Sequence, residues 1–337
     1  MIKVSVIIPL YKAEKYIEKC IRSLFEQTLE DLEYIFINDH SPDKSIEILE
    51  RTLEEYPDRK NQVKIINHQE NRGVSQSRQD GLDEARGEYV IHCDADDWVD
   101  PEMYRLMYDK AKECDADIVG CDILFETIYY AKVRKQDFTL KKDEIIKEIF
   151  KGGKINSYLW NRLVRTSFIK ENYLEFDNKA NLWEDMLFLT KLHQLTDKVE
   201  YIPMPLYHYR ILENSITHQK GDIDYVNKVL YVTDKLQEEY SDKEIIKEIE
   251  KKRKKYLLLF IQDSDNYNPD LWLSNLQSRF NENIKDNKLT LNKKETISVF
   301  LINKRLKLIN RIFINILNIP EQIKLTAKKI LYPHKRF

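Results

Sequence analysis

The sequence predicts an α/β fold with a mostly parallel central sheet flanked by helices, followed by a C-terminal helical extension. Three observations support this fold class. Short apolar runs alternate with amphipathic segments up to about residue 125, which is typical of βαβ units around a parallel sheet. Polar residues follow directly on several of these apolar runs. After about residue 220 the sequence is rich in Lys, Glu and Ile, and this composition indicates helices.

Five apolar runs are predicted as strands, and two amphipathic segments between them as helices. The strands are residues 3–8, 33–38, 63–67, 89–93 and 118–125. The helices are residues 14–25 and 45–56, in which apolar residues recur at helical spacing. The chain is therefore divided into a sheet-containing domain at residues 1–220 and a helical region at residues 221–337, whose last part is a basic tail at residues 304–337.

The composition excludes some classes of protein. The 55 Lys and Arg nearly balance the 57 Asp and Glu, so no overall basic field favours nucleic acid as a partner. Four cysteines without a CxxC pair indicate free thiols in a reducing compartment. No apolar stretch approaches the roughly 20 residues that cross a bilayer. We therefore expect a cytoplasmic protein that is soluble or peripheral to the membrane.

The most informative segment is residues 89–97, where an apolar run leads into Asp94, Asp96 and Asp97. Carboxylates this close raise one another's pKa unless a cation lies among them. Oxygen-only ligands suit Mg²⁺ or Mn²⁺, which commonly also bind a substrate's phosphates. The alternative is a helix cap, but the segment Asp100-Pro101-Glu102 already reads as an N-cap followed by Pro at the first helical position. The sequence therefore favours a metal and phosphate site.

Polar residues also follow the first two predicted strands, and ligands of parallel sheets bind beyond the carboxyl ends of the strands. Asp39 can accept a hydrogen bond from the ring N–H of a base, and Tyr11 can stack on that base. Asp43 is equally consistent with a cap for the helix near residue 45. Neither a G-x-G-x-x-G nor a G-x-x-x-x-G-K-[ST] motif occurs, which argues against dinucleotide-binding and ATPase-type loops.

Arg78 follows the third strand, shortly after Asn71-Arg72-Gly73. Gly73 is expected to serve backbone shape. Arg78 is expected to face either a diphosphate or an internal carboxylate, and both interpretations place it near the site.

Seven short motifs, taken in order, resemble those of family 2 glycosyltransferases, which are enzymes with the GT-A fold. The motifs are Pro9-x-Tyr11, Asn38-Asp39-x-Ser41-x-Asp43, Asn71-x-Gly73, Asp94-x-Asp96-Asp97, Trp160-Asn161-Arg162-Leu163, Glu184-Asp185 and Tyr207-His208-Tyr209-Arg210. They cover roughly residues 1–220, and the specificity comes from their order, since each alone is weak. Two positions depart from the pattern: Ser77-Arg78-Gln79 stands where the family often has Ala-Arg-Asn, and Arg162 where a Lys is common.

The resemblance implies an inverting transfer from a nucleotide-diphosphate sugar, most often a UDP-sugar, to a hydroxyl of a glycan or lipid-linked acceptor in bacterial surface polysaccharide synthesis. Residues 1–125 would form the nucleotide-sugar-binding half, and residues 126–220 the acceptor and catalytic half. The implied cofactor is Mn²⁺ or Mg²⁺.

The resemblance also implies roles for individual residues. Asp185 would be the general base and Asp96 would hold the metal ion. Asp97, Trp160 and Glu184 would lie beside the acceptor or support the site. The residues expected to bind the nucleotide are Pro9, Tyr11, Glu14, Asp39, Arg78, Asp94 and Arg210.

Other interpretations remain open from sequence. Without the resemblance, Glu184-Asp185 is equally consistent with the acidic start of a helix, and Trp160 is more often a core residue. His208 and His218 are additional candidate metal ligands, although the structural interpretation is favoured for a lone histidine. Alternatives to the transferase are a nucleotidyltransferase and a non-catalytic nucleotide-sugar-binding scaffold.

The tail at residues 304–337 carries nine Lys or Arg and one acid, Glu321. It is equally consistent with contact to an anionic membrane at its inner face and with packing on the protein. The oligomeric state is open.

Overall fold

The structure is a computed structural model, and it describes residues 1–127, 129–138, 141–211 and 223–263. The chain divides into two compact units. The first comprises Met1–Gln219 and Asp224–Lys255, and it contains every side chain discussed below. The second comprises Lys220–Ile223 and Tyr256–Phe337, most of which is outside the described residues. The predicted basic tail at residues 304–337 and His218 also lie outside them.

The described strands form one mixed sheet. They are β1 (Val4–Leu10), β2 (Leu32–Asn38), β3 (Val63–Asn67), β4 (Tyr89–His92), β5 (Trp98–Val99), β6 (Ile118–Glu126), β7 (Ala131–Arg134), β8 (Arg162–Arg165) and β9 (Val199–Arg210). Their order is β3-β2-β1-β4-β8-β6-β9-β5, and β7 pairs with β6 outside this path. The pairings among β3, β2, β1 and β4 are parallel, as is β6 with β9, whereas β8 runs antiparallel to both its neighbours.

The helices occur between the strands and at the end of the described chain. They are α1 (Ile17–Phe25), α2 (Ser45–Glu54), α3 (Val74–Glu84), α4 (Met103–Glu113), α5 (Lys142–Lys151), α6 (Thr166–Glu171), α7 (Glu184–Leu195), α8 (Ile223–Glu239) and α9 (Lys243–Asp263), with a 3₁₀ helix at Pro57–Gln62. No helix within these described ranges is long and apolar enough to cross a membrane.

Both faces of the sheet are buried, because successive side chains of β1 enter different cores. Val4, Val6 and Ile8 pack in a core that also contains apolar residues of α1 and α4. Ile7 packs in a second core, with residues of α6 and α7. This arrangement explains why β1 reads as a continuous apolar run rather than an alternating one.

The sheet curls, and this curl positions the site. β4 ends at His92 and β5 begins at Trp98, yet the strand order separates them by β8, β6 and β9. Four strand spacings amount to about 19 Å in a flat sheet. The connection contains a turn, in which the Asp97 N–H donates to the Asp94 carbonyl at 3.1 Å. Because a turn shortens the reach of the chain, the sheet must curl to bring β5 close to β4.

The predicted fold class is confirmed. The five predicted strands occur with ends within two residues of the prediction, and the two predicted helices occur as α1 and α2. The predicted N-cap at Asp100 is wrong, because α4 begins at Met103. Asp100 instead holds the preceding turn, where its carboxylate accepts the Glu102 N–H at 2.9 Å.

Residues Asp224–Lys255, which include most of α8 and part of α9, belong to the first unit. Val232 and Leu236 of α8 and Ile249 of α9 share a core with residues of α5 and α7. The predicted division of the chain at residue 220 stays a prediction.

Candidate active site

The acidic loop, defined as residues 94–97, lies between β4 and β5 and is held from behind by β9. The Asp97 carboxylate is buried and accepts hydrogen bonds from the Tyr207 hydroxyl at 2.8 Å and the Arg210 N–H at 2.7 Å. The Tyr207 hydroxyl also contacts the Asp94 N–H at 3.1 Å. Arg210 Nε donates to the Asp96 carbonyl at 2.9 Å. Asp97 therefore supports the loop, while Asp94 and Asp96 remain partly exposed.

The carboxylates of this loop are crowded enough to disfavour full ionisation. Burial, and then the charge of Asp94, raise the pKa of Asp96 to about 6. Burial raises the pKa of Asp97 well above its usual value, with a further contribution from Asp96. Raised pKa values of this kind result from low solvent access and neighbouring like charge.

Arg78 connects the acidic loop to helix α7. Its guanidinium donates to the Asp94 carboxylate at 3.0 Å and to the Glu184 carboxylate. Arg78 and Glu184 are 6% and 7% exposed, so the pair is shielded from water. The two carboxylates raise the pKa of Arg78 against the effect of burial, and the side chain stays charged. Two kinds of partner were predicted for Arg78, a diphosphate and an internal carboxylate, and the structure shows it bound to internal carboxylates.

Asp185 is the second residue of α7. Trp183, directly before the helix, has a positive φ of 59°, an uncommon conformation for a bulky residue. Burial, followed by the charge of Glu184, raises the pKa of Asp185 to about 7. Asp185 Oδ1 accepts a hydrogen bond from the adjacent Met186 N–H at 2.7 Å. A carboxyl poised near neutral pH is thus placed beside the Arg78 linkage.

Asp39 organises the loop that follows β3. Its carboxylate accepts hydrogen bonds from the Arg72 N–H at 2.7 Å and the Gly73 N–H at 2.8 Å, and contacts His68 Nδ1 at 2.8 Å. The other ring nitrogen of His68 contacts Asp80 at 2.8 Å. Three of about four acceptor positions on Asp39 are therefore used internally, and its side chain is buried.

The loop after β1 is joined to the start of α2. Asp43 accepts hydrogen bonds from the Glu14 N–H at 3.0 Å, the Ser45 N–H at 3.2 Å and the Ser41 hydroxyl at 2.6 Å. Glu14 in turn accepts from the Lys44 N–H at 3.2 Å. Asp43 therefore ties this loop to the first residue of α2, whereas the N-cap position itself is Lys44 and carries no side-chain capping hydrogen bond.

Two further candidate residues lie at or near the end of β1. Pro9 lies in β1 opposite Ile37 of β2. Tyr11 directly follows β1 and is 43% exposed, so its ring is available for stacking. Lys12 and His40, which follow β1 and β2, have φ values of 53° and 54°. Positive φ values in such residues are often found at binding loops.

Trp160 is buried, with 3% of its surface exposed, which agrees with the core interpretation that the sequence alone favours. Its ring stacks on Tyr207 at 4.0 Å and on Tyr158 at 4.5 Å between centroids. Trp160 therefore packs behind Tyr207 and supports the acidic loop indirectly. His208 contacts Glu126 at 2.8 Å and stacks on Trp98, which agrees with the structural interpretation.

The acidic loop suits a hard divalent cation, although not as a complete cage. Within the described residues, no group of three or more His, Cys, Asp or Glu is arranged to hold a metal ion. Mg²⁺ is often bound by one or two carboxylates together with substrate phosphates. Asp94 and Asp96, whose mutual repulsion a cation would relieve, fit an ion that is completed by a diphosphate.

Sequence reasoning missed the contribution of His68. It directly follows β3, so the rule that ligand-site residues follow the carboxyl ends of strands would have nominated it. Asn181 was also missed. Its side-chain oxygen lies 3.4 Å from the Ser75 N–H, and no sequence signal indicated this contact.

Comparison with known proteins shows the family of this chain. The profile of Glycosyl transferase family 2 matches residues 5–171. The uncharacterized glycosyltransferase YibD of Escherichia coli is 30% identical over 260 residues, which are 72% of this chain and 74% of YibD.

The chain belongs to glycosyl transferase family 2. EpsH of Bacillus subtilis, itself a candidate glycosyltransferase, is 35% identical over 64% of this family 2 chain and 63% of its own length. The chain thus spans less than two thirds of that relative. Membership of the family disfavours the nucleotidyltransferase alternative.

Solved structures show the same fold. S. aureus TarS 1–349 in complex with UDP-GlcNAc superposes with a TM-score of 0.58 at 19% identity, over 78% of this family 2 chain and 73% of TarS. The GT-A fold expected from the motif series is thereby confirmed.

Proposed function

We propose that this family 2 chain transfers a sugar from a nucleotide diphosphate donor to a hydroxyl of a glycan or lipid-linked acceptor, with inversion, in the synthesis of a surface polysaccharide. The observation that carries the proposal is the placement of Asp185. Its pKa is raised to about 7, and it follows Glu184, which Arg78 joins to the acidic loop. The Arg78–Glu184 ion pair thus connects a base whose pKa is near neutral with the predicted diphosphate site.

In the proposed reaction, Asp185 accepts the proton of the acceptor hydroxyl as its oxygen attacks the anomeric carbon. The bond between that carbon and the diphosphate oxygen breaks, and the diphosphate leaves with the electron pair. Attack opposite the leaving group inverts the anomeric configuration. A base with a pKa near the working pH is suited to this step, because it is both available and strong enough.

Asp94 and Asp96 would hold Mn²⁺ or Mg²⁺ against the donor diphosphate. Such an ion supplies charge neutralisation for the leaving group. Arg210 adds a fixed positive charge beside the same loop, since its Nε is bound to the Asp96 carbonyl. Asp97 and Tyr207 hold the loop in place and need not touch the substrate.

The nucleoside would bind beyond β1 and β2. Asp39 retains one acceptor position for a base N–H, and the exposed Tyr11 ring can stack on the base. Pro9 and Glu14 shape the loop that carries Tyr11. Uracil is the base to test first, because the TarS neighbour holds UDP-GlcNAc.

Thermal unfolding with UDP, GDP, CDP and ADP, each with and without Mn²⁺, tests the donor site. A ligand that binds the native state at a hundredfold excess over Kd adds about 2.7 kcal/mol to its stability. We expect a shift with one nucleotide that requires Mn²⁺ and is lost in Asp96→Ala. The absence of a shift with all four nucleotides would contradict the proposal.

Turnover separates an enzyme from a non-catalytic scaffold. UDP release from UDP-glucose, UDP-galactose and UDP-N-acetylglucosamine is measured with a lipid extract as acceptor. Asp185→Asn is expected to keep nucleotide binding and lose UDP release by at least about a hundredfold. The exposed Asp58→Asn serves as the matched control. Equal release by wild type and Asp185→Asn would remove Asp185 from the mechanism.

A further inference from the structure

A cleft of about 560 Å³ lies beside the acidic loop, between α1 and the β5 and β9 strands. Its lining includes Lys15, Lys19, Arg22 and Arg210, together with the Trp98 ring. Trp98 directly follows Asp97 in the chain, so the cleft begins where the acidic loop ends.

Two of these cations lie against the same aromatic ring. Lys19 Nζ lies 3.0 Å, and the Arg210 guanidinium carbon 4.7 Å, from the centroid of the Trp98 ring. The negative face of an indole ring attracts cations, which offsets part of their mutual repulsion. Burial lowers the pKa of Lys19, and the charge of Arg210 lowers it further, whereas Glu126 opposes both effects.

The acidic residues that line the cleft are paired with groups other than Lys19 and Arg210, one of which, Arg22, itself lines the cleft. Glu18 pairs with Arg22 and Arg51, and Glu26 accepts a hydrogen bond from the Tyr56 hydroxyl. In the part of the chain that the structure describes, Lys19 and Arg210 form no salt bridge with a carboxylate. The charges of Glu126 and Asp96 act on Lys19 and Arg210, but within the described residues neither carboxylate forms a salt bridge with them. Two neighbouring cations that are not paired directly can take an anionic ligand.

Arg210 fixes the position of this cation pair relative to the proposed reaction. Its Nε is bound to the Asp96 carbonyl, while its guanidinium lies over Trp98. A ligand bound between Lys19 and Arg210 therefore lies within one side chain of the loop that would hold the donor diphosphate. A second phosphate-containing ligand can be placed there together with the donor.

We propose that the cleft between α1 and β5 binds a phosphate group carried by the acceptor, with Lys19 and Arg210 as its ligands. This inference rests on the proposed function and adds the chemical class of the acceptor. Arg provides a planar pair of donors for phosphate oxygens, and Lys provides a point charge. The phosphate can belong to a glycan phosphodiester or to a lipid headgroup.

The test is made on the full chain with saturating UDP and Mn²⁺, so that the donor site is filled. The probes are a soluble trimer of glycerol phosphate, the neutral sugar isomaltotriose, and phosphatidylcholine vesicles with 30 mol% phosphatidylglycerol. Binding of each is measured for wild type, Lys19→Gln and the control Lys60→Gln, which changes an exposed lysine outside the cleft.

We expect the phosphate trimer to bind and isomaltotriose not to bind. Lys19→Gln should weaken trimer binding about tenfold, as expected for the loss of one charged hydrogen bond. The UDP affinity of this variant should stay unchanged. Lys60→Gln should bind the trimer as wild type does. If only the vesicles bind, in a manner that depends on Lys19, the phosphate belongs to a lipid headgroup.

Failure of this inference is distinct from failure of the proposed function. If wild type binds UDP but neither phosphate probe, or binds the probes equally well after Lys19→Gln, the cleft is not a phosphate site. If wild type binds no nucleotide, the proposed donor site itself is wrong.

Discussion

Arg78 and Glu184 form a buried ion pair across 106 positions of sequence, and the same guanidinium also holds Asp94. One side chain thus joins the end of the parallel part of the sheet to the helix that carries Asp185. Removal of Arg78 would leave Glu184 buried without a counter-charge.

Arg78→Met is expected to destabilise the protein by about 3–5 kcal/mol, because a buried carboxylate loses its partner. Denaturant unfolding measures the change. Adding Glu184→Gln to Arg78→Met should recover part of the loss, since the uncompensated charge is then gone. A double variant no more stable than Arg78→Met would show that the pair does not act as a unit.

The pH dependence of turnover should report Asp185. With a pKa of about 7, this base is protonated at lower pH, so kcat should fall about tenfold per pH unit below 7 and level off above it. UDP release at pH 5–9 under saturating donor measures this, with UDP affinity followed over the same range. A flat profile between pH 5 and 7 would contradict the assignment of the base.

The contribution of Asp185 to the free energy of unfolding should change with pH in the direction opposite to its effect on turnover. Its pKa is raised from 3.8 to about 7 on folding, so its stabilising contribution is complete below about pH 4 and is lost as the pH rises through 7. Asp185→Asn, which cannot ionise, should therefore unfold at a higher temperature than wild type at pH 8. This gain should shrink at pH 5, whereas exposed Asp58→Asn should show no such trend.

His68 should matter for nucleotide binding although it need not touch the nucleotide. His68→Ala removes the ring that lies between Asp39 and Asp80, so each of these carboxylates loses its contact with a ring nitrogen. We expect UDP affinity, measured by calorimetry, to fall about tenfold through loss of one hydrogen bond that positions Asp39. Asp80→Asn changes the outer contact of His68, together with the contacts of Asp80 to Arg72 and Gln76, and should have a smaller effect because Asp39 keeps its own contact with His68. The reverse order would mean that Asp39 is positioned by its backbone contacts alone.

Gly73 and Gly152 provide a matched pair for separating strain from steric conflict. Both have positive φ, 86° and 63°, but a Cβ on Gly73 would lie 2.2 Å from Asn181 Oδ1, whereas one on Gly152 meets nothing within 4 Å. Gly152→Ala should cost about 1 kcal/mol through backbone strain alone. Gly73→Ala should cost more in denaturant unfolding, and equal losses would mean that Asn181 moves freely.

The local parts of this fold were predictable from sequence. Strands such as β3 are signalled by apolar runs, and the acidic loop is signalled by three carboxylates at a strand end. The pairing of β8 between β4 and β6 was not predictable, because a four-residue strand carries little periodicity. The partner of Trp160 was not predictable for a similar reason, since the Tyr207 ring that stacks on it comes from a distant part of the sequence. The Arg78 partners were foreseen only as a class, because contacts between side chains depend on the packing of three elements.

The curl of the sheet has a consequence for how this protein can be cut and recombined. The acidic loop emerges from β4 in the first half of the chain, but Tyr207 and Arg210, which hold it, belong to β9. A fragment that ends after β6 keeps the carboxylates and loses the groups that fix their positions. Chimeras between this chain and its relatives should therefore inherit the β4–β5 connection and the end of β9 from the same parent, because these segments form one functional module that the linear sequence divides.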